Sequence, residues 1–94
     1  MRRSGKRDTA EKPIVDALRK AGCFVHVSRG GDFFDLLVGF QGRWHVLEVK
    51  DPESTRGRKL TADEIKWILD CRDRAPIHVV STVGQALAIV AGRP

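Results

Sequence analysis

Asp32-Phe33-Phe34-Asp35-Leu36-Leu37-Val38-Gly39-Phe40, Gln41-Gly42 and Arg43-Trp44-His45-Val46-Leu47-Glu48-Val49-Lys50 run consecutively through the middle of the chain. Two apolar-rich runs joined by a short glycine-containing link read as a β-hairpin. With Gln41-Gly42 as the turn, Phe40 faces Arg43, and counting outward sets Asp35 opposite Glu48. Glu48 and Lys50 stand two apart on one strand, so their side chains leave the same face of the sheet. Two carboxylates and an ammonium therefore meet at one spot. Like charges directly opposite on paired strands are destabilising unless something holds them together. A divalent cation would do that.

Neither face of this hairpin is polar. Leu37, Trp44 and Val46 share the Asp35 face, and Leu36, Val38, Phe40, Leu47 and Val49 share the other. A sheet apolar on both sides calls for cover on both sides, which predicts an α/β sandwich. The flanking sequence supplies the cover. Thr9 to Lys20 reads as a helix with Ile14, Val15 and Leu18 on one face. Asp8 and Glu11 have capping spacing, but that start puts Pro13 in the second turn, where its ring clashes with a preceding carbonyl; a start at Pro13 is the alternative. Ala21-Gly22 ends the helix, and Cys23 to Ser28 reads as a first strand.

Beyond the hairpin, Asp51 to Lys59 is a polar linker. Thr61 and Glu64 form a capping box, with Leu60 and Ile65 spaced as a hydrophobic staple, so a second helix runs to about Arg72 and buries Ile65, Ile68 and Leu69. Ile77 to Val80 is a fourth strand, and Thr82 with Gln85 caps a last helix, Val83 to Val90. The predicted order is α-β-β-β-α-β-α, with a basic arm over 1–8 and a single domain over 9–94.

Composition narrows the partners. Ninety-four residues, 41% of them hydrophobic, make one domain with one modest core, and no segment has the length of a membrane span. No apolar stretch follows the basic N-terminus, so a secretory signal is not expected. Cys23 and Cys71 lack metal-ligand spacing and read as free thiols of a reducing cytoplasm. His26, His45 and His78 are scattered over strands and read as structural or exposed rather than zinc-binding. The net charge of +5 suits a polyanion. Arg2, Arg3, Lys6 and Arg7 form one basic cluster and Arg56, Arg58 and Lys59 a second; with Arg29, Gly30 and Gly31 they are the candidate nucleic-acid contacts, each competing with an ordinary solvated charge or turn. Trp67 is a base-stacking candidate, or packs within its own domain or against a second subunit.

Asp35 followed by Glu48-Val49-Lys50 resembles the site of the PD-(D/E)xK nuclease superfamily. Gly30-Gly31, Asp35-Leu36-Leu37-Val38-Gly39, Leu47-Glu48-Val49-Lys50 and Leu60-Thr61-Ala62-Asp63-Glu64 resemble, more closely, the small virus-type VRR-NUC (virus-type replication-repair nuclease) endonucleases, over about Arg7 to Val90. The resemblance implies a restriction-endonuclease-like αβββαβ core with one added C-terminal helix. It also implies Mg²⁺, with Mn²⁺ as a substitute, held by Asp35, Glu48 and the backbone carbonyl of Val49, with Lys50 as the catalytic lysine. Glu11 matches an acidic residue of the family's first helix, which there helps bind metal or water, though a capping role competes. Glu64 falls where the family commonly carries Gln, against its competing role in the capping box. Phe34 replaces the proline of the superfamily's name, which shapes the backbone and is not a ligand.

The expectation is an endonuclease hydrolysing DNA, branched or junction DNA by preference, leaving 5′-phosphates, acting as a homodimer in a phage-infected or bacterial cytoplasm. Two rivals stand beside it. One is a non-catalytic nucleic-acid-binding module, or subunit of a larger DNA-processing complex, that keeps the fold and basic surface. The other is a small interaction domain that docks through the Trp67 face.

Overall fold

A computed structural model describes residues 10–28, 34–51, 60–72 and 74–92. Three helices and four strands follow in the order α1 (Glu11–Lys20), β1 (Phe24–Val27), β2 (Leu36–Phe40), β3 (Arg43–Val49), α2 (Ala62–Cys71), β4 (Ile77–Val80) and α3 (Val83–Val90). The strands form one mixed sheet in sequence order, with β1, β2 and β3 antiparallel and β4 parallel to β3. This is the predicted element order. No described helix is long and apolar enough to cross a membrane.

The hairpin register follows from its turn. Gln41 and Gly42 both have positive φ, 51° and 80°, the pattern of a type I′ turn, whose twist matches that of the flanking strands. Phe40 pairs with Arg43, Gly39 with Trp44 and Leu36 with Leu47. Side chains alternate across this register.

Leu36, Val38, Leu47, Val49 and Val80 project to one side, where Ile14, Val15 and Leu18 of α1 and Ala86 and Val90 of α3 complete a single core. Each large side chain fully buried there contributes roughly 1.5–3 kcal/mol by leaving water.

Local sequence explains the ends of the helices. α1 starts at Glu11, which places Pro13 in the first turn, where the missing N–H has no intrahelical partner. Both predicted starts are thus corrected by a residue or more. The N-cap residue, Ala10, has no side chain able to accept from the first-turn N–H groups. At its other end Cys23 N–H donates to Leu18 O and Gly22 N–H to Arg19 O, each at 3.0 Å, a Schellman closure that needs the positive φ of Gly22 (98°). Both predicted capping boxes form, Thr61 with Glu64 and Thr82 with Gln85.

The second face departs from expectation. α2 has no buried residue, and Ile65 and Leu69 are 45% and 52% exposed rather than buried. Helical periodicity states which residues share a side; it does not guarantee that a partner surface lies against them. The sheet face on that side is correspondingly open, with Phe24, Trp44 and Val79 exposed. Among the described residues, the sandwich is sealed on one side only.

Candidate active site

Asp35 immediately precedes β2 and is fixed from two sides. Its N–H donates to Leu47 O at 3.0 Å, and its carbonyl accepts from Ser28 N–H at 2.8 Å. Its carboxylate Oδ2 accepts from the Val49 N–H at 2.7 Å. The side chain therefore points across the strand pair at the Glu48-Val49-Lys50 segment, as the hairpin count predicts. Lys50 follows β3 and is held to the next strand through its N–H, which donates to Val80 O at 2.9 Å.

Glu48 is 3% exposed, and Lys50 lies across it. Lys50 Nζ is 3.1 Å from Glu48 Oε2 and 3.2 Å from Glu64 Oε1. The same Glu64 Oε1 accepts from the Thr61 N–H at 2.9 Å, while the Glu64 N–H donates to Thr61 Oγ1 at 3.1 Å. Glu64 thus serves its cap and also reaches Lys50. It closes the capping box of α2 and is a member of the acidic cluster, so the first turn of α2 is tied to the end of β3 through one carboxylate.

The electrostatics follow from burial and crowding. Burial first, then a hydrogen bond with Glu64 and the charge of Asp35, pushes the Glu48 carboxyl up to about 8, against the opposing pull of Lys50. Burial works against the Lys50 charge, but its hydrogen bonds and proximity to Glu48 and Glu64 prevail and raise its pKa. Glu64 is raised by burial, yet hydrogen bonds with Glu48, the Thr61 N–H and Lys50 outweigh that and leave it below its ordinary value. Lys50 is thus held as an ammonium, suited to orienting and stabilising negative charge rather than to accepting a proton.

Glu48 and Glu64 flank the Lys50 ammonium and the charge of Asp35 acts on Glu48, leaving a surplus of acid that either a proton on Glu48 or a bound cation offsets. The donor set suits a hard divalent cation. Asp35 and Glu48 supply anionic oxygens, and Mg²⁺ commonly takes one or two carboxylates and keeps several waters. Among the described residues no three Asp, Glu, His or Cys side chains are grouped at metal-ligand geometry.

The remaining candidates divide. Glu11 is buried in the first turn of α1. Arg3, Lys6, Arg7, Arg29, Gly30, Gly31, Arg56, Arg58 and Lys59 lie outside the described residues. Asp51 was expected to open a polar linker and is instead 4% exposed at the edge of the site. Its place directly after Lys50 is the only sequence signal that marks it. Both cysteines are free. His45 sits on the core side with Nε2 buried and unbonded, and burial lowers its pKa, followed by the charges of His78 and Arg43.

Compared with protein-family models, curated proteins and solved structures, the chain matches none.

Proposed function

We propose that the protein is a Mg²⁺-dependent endonuclease of the PD-(D/E)xK type that hydrolyses DNA phosphodiester bonds. The observation that carries this reading is the convergence of Asp35, buried Glu48 and Lys50 at one end of an antiparallel hairpin, with Lys50 Nζ 3.1 Å from Glu48. Exposed strand charges have no reason to be arranged this way. Opposed carboxylates on a largely apolar face cost stability unless something offsets them, and a bound cation would do so.

Asp35 and Glu48 would hold the cation, which when bound polarises a phosphodiester oxygen and lowers the pKa of its water. Lys50, protonated, would orient the attacking water and stabilise charge developing on the phosphate. Glu64 positions Lys50 from the first turn of α2. The Val49 N–H fixes the rotamer of Asp35. The αβββαβ nuclease core with an added helix is the fold we propose on this basis, and the homodimer on branched DNA belongs to the same reading.

The test is cleavage of labelled duplex, single-stranded, flap and four-way-junction DNA with Mg²⁺, Mn²⁺ or EDTA, beside Lys50→Ala. Metal-dependent cutting that disappears in Lys50→Ala is expected. Binding of DNA without cutting in either metal would replace the enzyme with a binding module. Light scattering of the free protein reads its oligomeric state.

A further inference from the structure

Trp44 occupies the face of the sheet that carries Glu48, four positions earlier on β3. Phe24, Gly39 and Trp44 form one cross-strand row, because Phe24 pairs with Gly39 and Gly39 with Trp44. The indole lies on the Gly39 backbone so closely that a Cβ there would come within 3.0 Å of the ring. A side chain at position 39 would make the indole give by a few tenths of an ångström. Phe24 stands edge-on beside it, with ring centroids 6.0 Å apart and planes at 86°. Despite these contacts Trp44 is 65% exposed and Phe24 59%. The result is an aromatic plane pinned on one side and open on the other.

We propose that Trp44, backed by Gly39 and flanked by Phe24, is a stacking platform for an unpaired base of the nucleic-acid strand that enters the acidic site. Covering a strand glycine with an aromatic ring is a common stabilising device. That accounts for the ring face on Gly39, not for the exposure of the opposite face. Stacking on an aromatic side chain is how proteins bind single strands without reading sequence, since every base has a flat face to offer. The cleft at the platform is about 380 Å³ and is lined by Gly22, Phe24, Gly39, Gln41, Arg43 and Trp44 among others. The net charge of +5 of the whole chain suits a polyanion such as a phosphate backbone.

Position adds a constraint. Trp44 and Glu48 are separated along β3 by about 13 Å at strand rise, roughly four nucleotides at stacked spacing. A base on the platform and a phosphate at Glu48 therefore fit one strand running along the open face. A base within a continuous duplex has no free face for Trp44, so single-stranded, flap or branched DNA is favoured over plain duplex. The inference rests on the nuclease reading for the path of the strand, but base stacking itself does not need cleavage.

The experiment uses the full chain carrying Trp67→Phe, so that Trp44 is the only emitter, in EDTA. Oligo(dT) and a duplex of equal length are titrated while emission and anisotropy are followed. Oligo(dT) quenches Trp44, and Trp44→Ala weakens oligo(dT) binding about tenfold with little change for duplex. Trp44→Phe retains most of the affinity. Unquenched emission at saturating oligo(dT), or equal affinity in Trp44→Ala, would overturn the platform. So would conversion of a dimer to a monomer by Trp44→Ala, which would make this face a contact between copies. Cleavage with Mg²⁺ is read separately: quenching without cutting leaves the platform standing and removes the nuclease, and cutting without quenching does the reverse.

Discussion

The two faces of the sheet are built from similar residues and have opposite fates. Leu36, Val38, Leu47 and Val49 are at most 1% exposed beneath α1 and α3, while Trp44 and Val79 on the other face are 65% and 42% exposed. Glu48 shares the open face yet is 3% exposed, because Lys50 and Glu64 close over it. Burial on the sealed face is apolar and favourable. Burial on the open face traps charge and is costly. The apolar core and the charged cluster are thus divided between the two sides of one sheet, and substitutions should divide the same way.

The sharpest break would come from the core. Leu47→Ala should cost about 3–5 kcal/mol in urea unfolding, a large part of the roughly 5–15 kcal/mol typical of a domain. Trp44→Ala, three residues earlier on the open face, should cost about 1 kcal/mol or less. Equal losses would dissolve the distinction. Next in size is Lys50→Ala, which should lower metal-dependent cleavage by roughly 10²–10³-fold while the protein stays folded by circular dichroism. A loss of activity matched by unfolding would place Lys50 in the scaffold instead.

A third prediction concerns pH. The folded Glu48 carboxyl keeps its proton up to about 8 against an ordinary value of 4.5. The stability it contributes is complete below that ordinary value and is lost as pH rises through the folded one. Glu64 shifts downward, so its contribution changes only below the ordinary carboxylate range. In EDTA the melting temperature should therefore fall between about pH 5 and 8, and Glu48→Gln should flatten that slope. Added Mg²⁺ should bind more tightly as pH rises, since its ligands must be deprotonated.

The smallest effects belong to the helix caps. Thr82→Ala should cost about 1 kcal/mol, because α3 packs on the core. Thr61→Ala should cost less in global unfolding, since α2 buries no residue; its effect should appear instead in activity, through Glu64.

Much of this was legible in the residues. The element order, the Gln41-Gly42 turn and both Thr capping boxes are set by local chemistry, and the site follows from the turn by counting. The failures lie where local chemistry is silent. Pro13 marked a helix start without saying which residue came before it. Ile65, Ile68 and Leu69 formed an apolar stripe, but whether a surface meets that stripe depends on how α2 is hung from the sheet. Asp51 looked like linker because burial is a property of neighbours that are distant in sequence. Trp44 drew attention only as an apolar strand residue, and its open ring face is visible only beside Gly39.

The positive φ of Gln41 and Gly42 has a wider consequence. A strand pair has a period of two, so one residue inserted in or removed from that bend turns Glu48 and Lys50 to the opposite side of the sheet from Asp35. Loops ordinarily tolerate changes of length during divergence. This one does not have that freedom. In any descendant that keeps the chemistry, the length of the bend should be inherited together with the acidic residues it aligns, although it lies at the far end of the hairpin from them.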